Sequence, residues 1–243
     1  LHRADGIMTT SQDLTEHMEK DDANRGAEGK RHIRTVRNVF PPKTEFIASD
    51  KSQRSSSELN VLYAGTVGRA QKIDNAVKAV KLAQDRGYAI NLRIVGDGAT
   101  WHATKATMEA LGINATIEHR VPADELQAIY EWADTALIHL TDWEPLNRTV
   151  PSKTYELMSL GVHTTAVVQG EAARIVENLG AGIVVPPENP EALAEAWTTL
   201  IDDRSKLTVS PSGREWVATQ RDEVVPEAFL GIVTTVTRQQ TKA

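Results

Sequence analysis

The 243-residue sequence contains no cysteine, which excludes disulfides, thiolate zinc sites and a cysteine nucleophile. It has no apolar run approaching the roughly 18 residues that a membrane-spanning helix needs. The formal net charge of -6 argues against a protein that binds nucleic acid through its overall charge, and leaves room only for a local basic pocket. We therefore expect a cytoplasmic globular protein, for which 40% hydrophobic residues supply ample core material.

Several catalytic signatures are absent as well. The sequence has no GxSxG elbow, no Walker A loop and no HExxH pair. No two histidines have the spacing of metal ligands on one face, so the histidines are interpreted as structural or surface residues. The chain opens on LHRADGIMTT, without a starting Met or a signal-peptide pattern, which predicts a piece of a longer protein.

The first 57 residues are predicted to form a small unit and a linker. Within residues 1–40, GIMTT is predicted as a strand, QDLTEHMEK as a helix and HIRTVRNVF as a second strand. Such a unit is too small to bury a core, so we assign it to an N-terminal domain that is mostly absent from this sequence. Residues 41–57 are rich in Pro, Ser and charge and are predicted to be a linker.

Residues 58–207 alternate between predicted strands and helices six times, with short connections. The strands are NVLYAG, INLRIVGDG, ATIEHRV, TALIHL, VHTTAVV and GIVVP. Their Val/Ile/Leu-rich runs indicate an α/β fold, a Rossmann-like parallel sheet with helices on both faces. Residues 208–243 are predicted to be helical in two pieces around Pro226. Their apolar residues have no place in the finished sheet, so we expect them to pack toward the N-terminal domain.

Ligands bind beyond the carboxyl ends of the strands in an open parallel sheet, and the loop YAGTVGRAQK at residues 63–72 lies there. Gly65 and Gly68 let the backbone approach a ligand closely. Arg69, Gln71 and Lys72 add donors suited to phosphate oxygens. The G-x-x-G spacing differs from GxGxxG, which disfavours a dinucleotide site. The plain alternative is a glycine turn with solvated charges.

Two further loops at this edge carry charge at the start of a helix. In VPSKTYELMSLGV, Lys153 and Glu156 lie three apart and hence on one helical face. They could form an ordinary ion pair worth about 0.2–0.5 kcal/mol, or Lys153 could meet a diphosphate while Glu156 accepts sugar hydroxyls. In VQGEAARI, Gly170 allows a tight turn and Glu171 begins a helix whose first amides can bind an anion.

These loops, in this order, resemble the C-terminal, donor-binding half of the retaining, nucleotide-sugar-dependent glycosyltransferases of the GT-B fold, family 4. The motifs are VLYAGTVGRAQ, LRIVGDG, VPSKTYELMSLGV and GEAARIVENLGAGIVVPPENPEALAEA, which span nearly all of residues 59–200. The combination is similar to transferases that add N-acetylated amino sugars in bacterial surface-polysaccharide assembly. The stretch ADGIMTTSQDLTEHM resembles the end of the N-terminal domain of such enzymes.

The resemblance implies a role for each matching position. Catalytic roles fall on Arg69, Lys153 and Glu171. Roles in binding the nucleotide-sugar fall on Gly68, Gln71, Arg120, Val121, Glu156, Gly170, Ala172 and Ala173. Among these, Arg120 and Val121 would border the base and Glu156 would hold the ribose hydroxyls. The resemblance implies no metal and no cofactor, because Arg, Lys and helix amides stabilise the leaving diphosphate.

Two positions depart from the family pattern. The family commonly has an acid eight residues before the ribose Glu, where this sequence has Arg148; Glu144, Asn147 or Arg148 itself are candidates to replace it. The usual Lys beyond the Arg is also out of register, since Lys72 follows Arg69 by only three.

The resemblance therefore predicts transfer of a sugar, from a UDP-sugar, to a polysaccharide or lipid-linked acceptor with retention. The acceptor, and any peripheral membrane contact, would involve the missing N-terminal domain, and this piece alone is expected to bind nucleotide without transferring sugar. The alternative is a non-catalytic nucleotide-sugar-binding module, which is favoured by Arg148 because this residue stands in place of an acid. A GT-B epimerase acting on UDP-amino sugars is disfavoured by PSKTYELMSLG, and a dehydrogenase is more distant still.

Overall fold

A computed structural model describes residues 4–24, 31–41 and 46–240. The strands are β1 (Gly6–Thr9), β2 (His32–Thr35), β3 (Glu58–Ala64), β4 (Ala89–Val95), β5 (Ala115–Glu118), β6 (Thr135–His139), β7 (Thr164–Val167) and β8 (Gly182–Val185). The helices are α1 (Gln12–Asn24), α2 (Asp74–Asp85), α3 (Trp101–Leu111), α4 (Leu126–Trp132), α5 (Ser152–Leu160), α6 (Gly170–Asn178), α7 (Pro190–Asp202), α8 (Ser212–Thr219) and α9 (Val225–Gln240).

Strands β3 to β8 form one parallel sheet in the order β5-β4-β3-β6-β7-β8. The prediction of an α/β fold with a parallel sheet is confirmed. The chain builds outward from β3 in one direction and from β6 in the other, so the order reverses between these two strands. The carboxyl ends of β3, β6 and β7 are adjacent, which brings the three loops predicted to bind ligand to the middle of one edge.

Helices cover both faces of this sheet, and alternation along β3 shows how the sequence divides its apolar residues between them. Val61 and Tyr63 pack in a core with Val77 of α2 and Trp197 of α7. Leu62 points the other way, into a second core that includes residues of α4, α5 and α6. Because both faces are buried, the strands read as nearly continuous apolar runs rather than alternating ones.

The N-terminal unit is a parallel pair, β1 with β2, and α9 packs against both strands. The second strand ends at Thr35, earlier than the sequence predicts, and Val39 then packs in the core of the larger sheet. The tail is helical in two pieces, α8 and α9, which a π-helical turn at residues 220–224 joins just before Pro226, as the sequence predicts. Pro226 stands in the first turn of α9, where its missing N–H costs little.

Some predicted segments extend beyond the described residues. These are residues 1–3 and 25–30 of the N-terminal unit, residues 42–45 of the linker and residues 241–243 of the tail. In the described part of the chain, no helix is both long enough and apolar enough to cross a membrane.

A buried ion pair joins the end of the sheet opposite the three loops to the segment after α7. Arg204 donates to the Asp134 carboxylate over 2.6 Å, and the two side chains are 8% and 1% exposed. Asp134 also accepts the backbone N–H of Asn60, at 2.9 Å. This carboxylate therefore has its charge and its hydrogen bonds satisfied inside the protein.

Arg204→Ala is expected to lower the free energy of unfolding by about 3 kcal/mol, because it leaves the Asp134 carboxylate buried without its main partner. Urea unfolding measures the loss. Arg86→Ala, at the exposed end of α2, is the matched control and should change stability by less than about 0.5 kcal/mol. Equal effects of the two substitutions would contradict the assignment.

Burial also sets the charge of His163, whose Nδ1 lies 2.9 Å from Thr135 Oγ1. Burial lowers the pKa of His163 to about 4, whereas in the unfolded chain it is about 6.5. Between about pH 6.5 and pH 4 the unfolded state therefore binds a proton that the folded state does not bind. The contribution of neutral His163 to the free energy of unfolding is thus fully present above pH 6.5 and is lost as the pH falls.

Between pH 7 and pH 5, His163 alone should remove about 2 kcal/mol from the free energy of unfolding. His163→Gln removes the titrating group, so the variant should lose that much less stability over the same interval. Urea unfolding of both proteins at the two pH values measures the difference. Parallel pH dependences would show that His163 does not contribute in this way.

Candidate functional site

The loop after β3 is held in place by the loop after β4. The Thr100 N–H and hydroxyl both donate to the Val67 carbonyl, each at 3.0 Å. A Cβ on Gly96 would collide with the Gly65 carbonyl, so the two turns pack backbone against backbone. Only a residue without a side chain allows this approach. The loop predicted to approach a ligand is therefore held by its neighbour.

Gly68, Arg69 and Gln71 lie together in the turn before α2. The Gly68 carbonyl accepts the N–H of Gln71 at 3.1 Å, and the Gln71 side chain folds over Gly68. Arg69 is exposed and makes no ion pair or hydrogen bond with the part of the chain that the structure describes. Its guanidinium is thus available to an incoming anion.

Lys72, in contrast, is already paired. It has φ +41°, an uncommon value for a residue with a side chain, and its ammonium lies 2.6 Å from Glu188. Hydrogen bonds from Lys72 and from the Thr141 hydroxyl lower the pKa of Glu188 to about 2. The pair ties the loop after β3 to the loop after β8, so Lys72 is a structural link in this arrangement.

Lys153 and Glu156, in the first turns of α5, meet in a three-membered cluster with Tyr130 of α4. Lys153 Nζ donates to Glu156 Oε2 at 2.8 Å and to the Tyr130 hydroxyl at 2.9 Å. The hydroxyl in turn donates to Glu156 Oε1 at 2.7 Å. Burial, and then the Glu156 charge, raise the pKa of Tyr130 well above its usual range.

The cluster is partly open to solvent, with 29% of the Lys153 side chain and 19% of the Glu156 side chain exposed. Each carboxylate oxygen keeps a further lone pair, and the ammonium has a third proton. The two residues therefore form an ion pair that Tyr130 orders at the carboxyl edge of the sheet, and their contacts with a nucleotide stay a prediction.

The start of α6 is covered by the loop after β6 and by the N-terminal unit. Gly170 has φ +64°, and a Cβ there would collide with the Asn147 carbonyl and lie 3.2 Å from Asp13 Oδ2. Ala172 is buried and Ala173 is partly buried in the second core. The predicted donor contacts of these residues are not tested by this arrangement.

Glu171 is buried, at 5% exposure, and both of its oxygens face the N-terminal unit. Oε1 lies 2.5 Å from the Arg37 guanidinium, and Oε2 accepts the N–H of Asp13 in the first turn of α1 at 3.0 Å. Asp13 in turn pairs with Arg174, at 2.5 Å. The structure thus gives Glu171 a role in joining the two units, and its predicted catalytic role stays a prediction.

Arg120 and Val121 follow β5, two strands away from β3, a distance of about 10 Å. Arg120 is exposed and its N–H donates to Asp97 at 3.2 Å. Val121 is half-buried against the second core. These residues lie apart from the three central loops, and their predicted place beside the base stays a prediction.

Sequence reasoning missed Tyr130, Arg37 and Asp13. Nothing in their local sequence distinguishes them, because each acts on a residue between 23 and 158 positions away. Within the described residues, no three His, Cys, Asp or Glu side chains gather where they could hold a metal ion.

The Arg37–Glu171 contact is expected to be a strong coupling between the two units. In a double-mutant cycle of Arg37→Ala and Glu171→Ala, the coupling energy should be about 1–3 kcal/mol, since both groups are largely buried. Urea unfolding of the four proteins measures it. Additive effects would mean that the contact does not stabilise the interface.

Two known proteins are similar in sequence to part of this chain. "Probable glycosyltransferase WbjE" of Pseudomonas aeruginosa is 31% identical over 154 residues, which cover 62% of this chain and 37% of that protein. "Exopolysaccharide phosphotransferase SCO2592" of Streptomyces coelicolor is 29% identical over 139 residues, 56% of this chain and 14% of that protein. The chain therefore spans well under half the length of these two relatives.

Solved glycosyltransferases share the GT-B fold with this chain. HepE of Anabaena, in complex with UDP and glucose, superposes with a TM-score of 0.66 at 18% identity, covering 99% of this chain and 64% of that one. The pneumococcal O-GlcNAc transferase GtfA, in complex with UDP and GlcNAc, has a TM-score of 0.69 at 13% identity, covering 96% and 45%. The family model described as "Glycosyl transferases group 1" matches residues 45–215. The chain belongs to this family of glycosyltransferases.

Proposed function

We propose that this chain carries the donor site of a glycosyltransferase that uses a UDP-sugar. The observation that carries the proposal is the meeting of three loops at the carboxyl ends of β3, β6 and β7, next to the point where the strand order reverses. Each loop brings a group suited to a diphosphate or a sugar: the exposed Arg69, the Lys153–Glu156 cluster, and the start of α6 at Gly170.

The chemistry follows from these groups. Departure of a nucleoside diphosphate leaves negative charge on phosphate oxygens, and Arg69, Lys153 and the first amides of α6 supply positive charge and N–H donors there. Glu156 accepts hydrogen bonds from the ribose hydroxyls, and Arg120 and Val121 border the base. Such a site needs no metal, because protein groups neutralise the leaving group.

The choice of UDP has separate support. HepE is described with UDP-glucose, GtfA with UDP and GlcNAc, and TarM of S. aureus with UDP. Membership of family 4, retention at the anomeric carbon and an amino-sugar donor rest on the sequence resemblance. The names of the relatives, which include an exopolysaccharide enzyme and a lipopolysaccharide galactosyltransferase, support a polysaccharide or lipid-linked acceptor.

The acceptor side is proposed to involve further N-terminal residues that pack on the β1–β2 pair and on α9. Phe229, Leu230 and Val233 of α9 are 45%, 62% and 40% exposed, and Met8 of β1 is 48% exposed. An apolar surface of this kind beside a two-stranded parallel sheet fits a larger domain. Peripheral membrane contact through that domain and a cytoplasmic location stay predictions.

A non-catalytic nucleotide-sugar-binding module is the second candidate. Arg148 stands where relatives of this type commonly have an acid and pairs with Glu144, and Glu171 is held by Arg37. The first feature removes the acid from its usual position, and the second withholds the Glu171 carboxylate from a donor sugar in this arrangement. The two candidates differ in activity. The glycosyltransferase predicts sugar transfer by the complete protein, and the non-catalytic module predicts none.

UDP at about a hundred times its Kd should stabilise the chain by about 2.7 kcal/mol and raise its melting temperature by roughly 5–10 °C. Glu156→Gln should weaken UDP binding about tenfold, because the charged acceptor for the ribose is lost while the side-chain shape is kept. Thermal shift and calorimetric titration with UDP, GDP and NAD measure both effects.

Glu109→Gln is the matched control, since Glu109 is an exposed helical carboxylate with a lysine four residues before it. It should leave UDP affinity unchanged. The proposed function would be contradicted if NAD raised the melting temperature while UDP and GDP left it unchanged. Loss of stability in Glu156→Gln with unchanged UDP affinity would reduce the cluster to a structural ion pair.

A further inference from the structure

His139 and Asn75 are two polar side chains that are buried beside the loop after β3, which carries Arg69. His139 ends β6 and is 2% exposed, and Asn75 lies in the first turn of α2 and is 4% exposed. Within α2, all of which the structure describes, Asn75 is the only polar residue among the buried positions. Buried polar groups destabilise a fold unless they find hydrogen-bond partners, so the partners of these two show what holds them there.

The two side chains contact each other. Asn75 Nδ2 lies 2.9 Å from His139 Nε2. Burial lowers the pKa of His139 to about 4, so the ring is neutral at pH 7. A neutral ring that accepts an amide N–H at Nε2 carries its own proton at Nδ1. The contact with Asn75 therefore leaves Nδ1 as the donor nitrogen of His139.

Both members of the pair also contact the loop after β3. The Asn75 N–H donates to the Lys72 carbonyl at 3.1 Å. The Gln71 backbone interacts with the His139 ring, and this raises the pKa of the ring against the larger effect of burial. Nδ1 is sealed from solvent beside that backbone without reaching full hydrogen-bond alignment. The pair thus meets the loop at the residues two and three positions after Arg69.

The end of β6 supports the loop through a second contact as well. Thr141, two residues after His139, donates its N–H to the Ala70 carbonyl at 2.8 Å. A further support is the Lys72–Glu188 ion pair, whose side chains are 38% and 36% exposed. An exposed ion pair contributes little and is screened by salt, whereas a buried group that loses its partner is costly. The position of the loop therefore depends more on the end of β6 than on this ion pair.

We propose that His139, held by Asn75, is a positioning residue for the contact between Arg69 and the diphosphate. Neither buried side chain touches the nucleotide. His139 supports the backbone of the loop from the core, and the backbone sets where the Arg69 guanidinium meets the phosphate oxygens. The inference rests on the proposed function, which assigns the diphosphate to this loop.

The experiment compares the Kd of UDP with the Kd of uridine, which lacks the diphosphate, by calorimetric titration of the full chain. His139→Leu should weaken UDP about tenfold, equivalent to about 1.4 kcal/mol, and leave uridine within about twofold. His139→Gln, which keeps an acceptor for Asn75 and an N–H for the loop, should recover most of that affinity. Because His139 acts through Arg69, adding His139→Leu to Arg69→Ala should weaken UDP by less than about twofold further.

Asn75→Ala is a second variant, which removes the partner of the ring and keeps a good helix former in α2. It should show the same selective loss of UDP affinity. His163→Leu is the matched control, since His163 is also buried and neutral but lies before β7, at the opposite end of the sheet. It should lower the free energy of unfolding and change neither Kd, which separates loss of stability from loss of position.

The positioning role is overturned if the His139 and Asn75 variants leave UDP affinity unchanged, or weaken UDP and uridine equally. It is also overturned if His139→Leu and Arg69→Ala have additive effects, or if His139→Gln is as weak as His139→Leu. Wild-type protein that does not bind UDP contradicts the proposed function instead.

Discussion

Close contact between loop backbones at one edge of the sheet is the constraint on which the rest of the site depends. Gly96 lies against the Gly65 carbonyl and Gly170 against the Asn147 carbonyl, so a side chain at either glycine would push a loop away. The first contact joins the loops after β3 and β4, and the second joins the loops after β6 and β7. The Thr141 N–H, which donates to the Ala70 carbonyl at 2.8 Å, joins the loop after β6 to the loop after β3.

Two carboxylates at this edge show how position decides what an acid can do. Glu156 shares its charge with Lys153 and Tyr130 and stays partly in solvent, so it can still accept a ligand's hydroxyl. Glu171 is buried by the N-terminal unit, where Arg37 and the first turn of α1 take both of its oxygens. Access to solvent, more than charge, separates a carboxylate that is available to a ligand from a structural one here.

The N-terminal unit therefore reaches the edge at which the donor is proposed to bind. Ser11 contacts the Arg148 carbonyl, and Asp13 pairs with Arg174 and lies beside Gly170. All three contacts fall on the loop after β6 or on α6. Any change in how the two units meet would thus be felt at the proposed phosphate and sugar contacts.

The fold was predictable from the sequence because each unit repeats a local rule. Apolar strands such as TALIHL and amphipathic helices such as KIDNAVKAVKLAQDRG have periods that can be read residue by residue. The edge that carries the loops followed from the same rules, since parallel strands place all their carboxyl ends on one side. The two helices of the tail meet just before Pro226, as the preference of proline for the first turn of a helix predicts.

The sequence by itself determined the parallel sheet, the three ligand-edge loops and the family, because those depend on short-range pattern. Tertiary structure alone decided which charges found partners. Tyr130 reaches Lys153 from a different helix, Arg37 reaches Glu171 from the N-terminal unit, and Trp143 found no core to enter. Contacts between residues far apart along the chain depend on how whole elements pack. The local periodicity of the sequence carries no information about that packing.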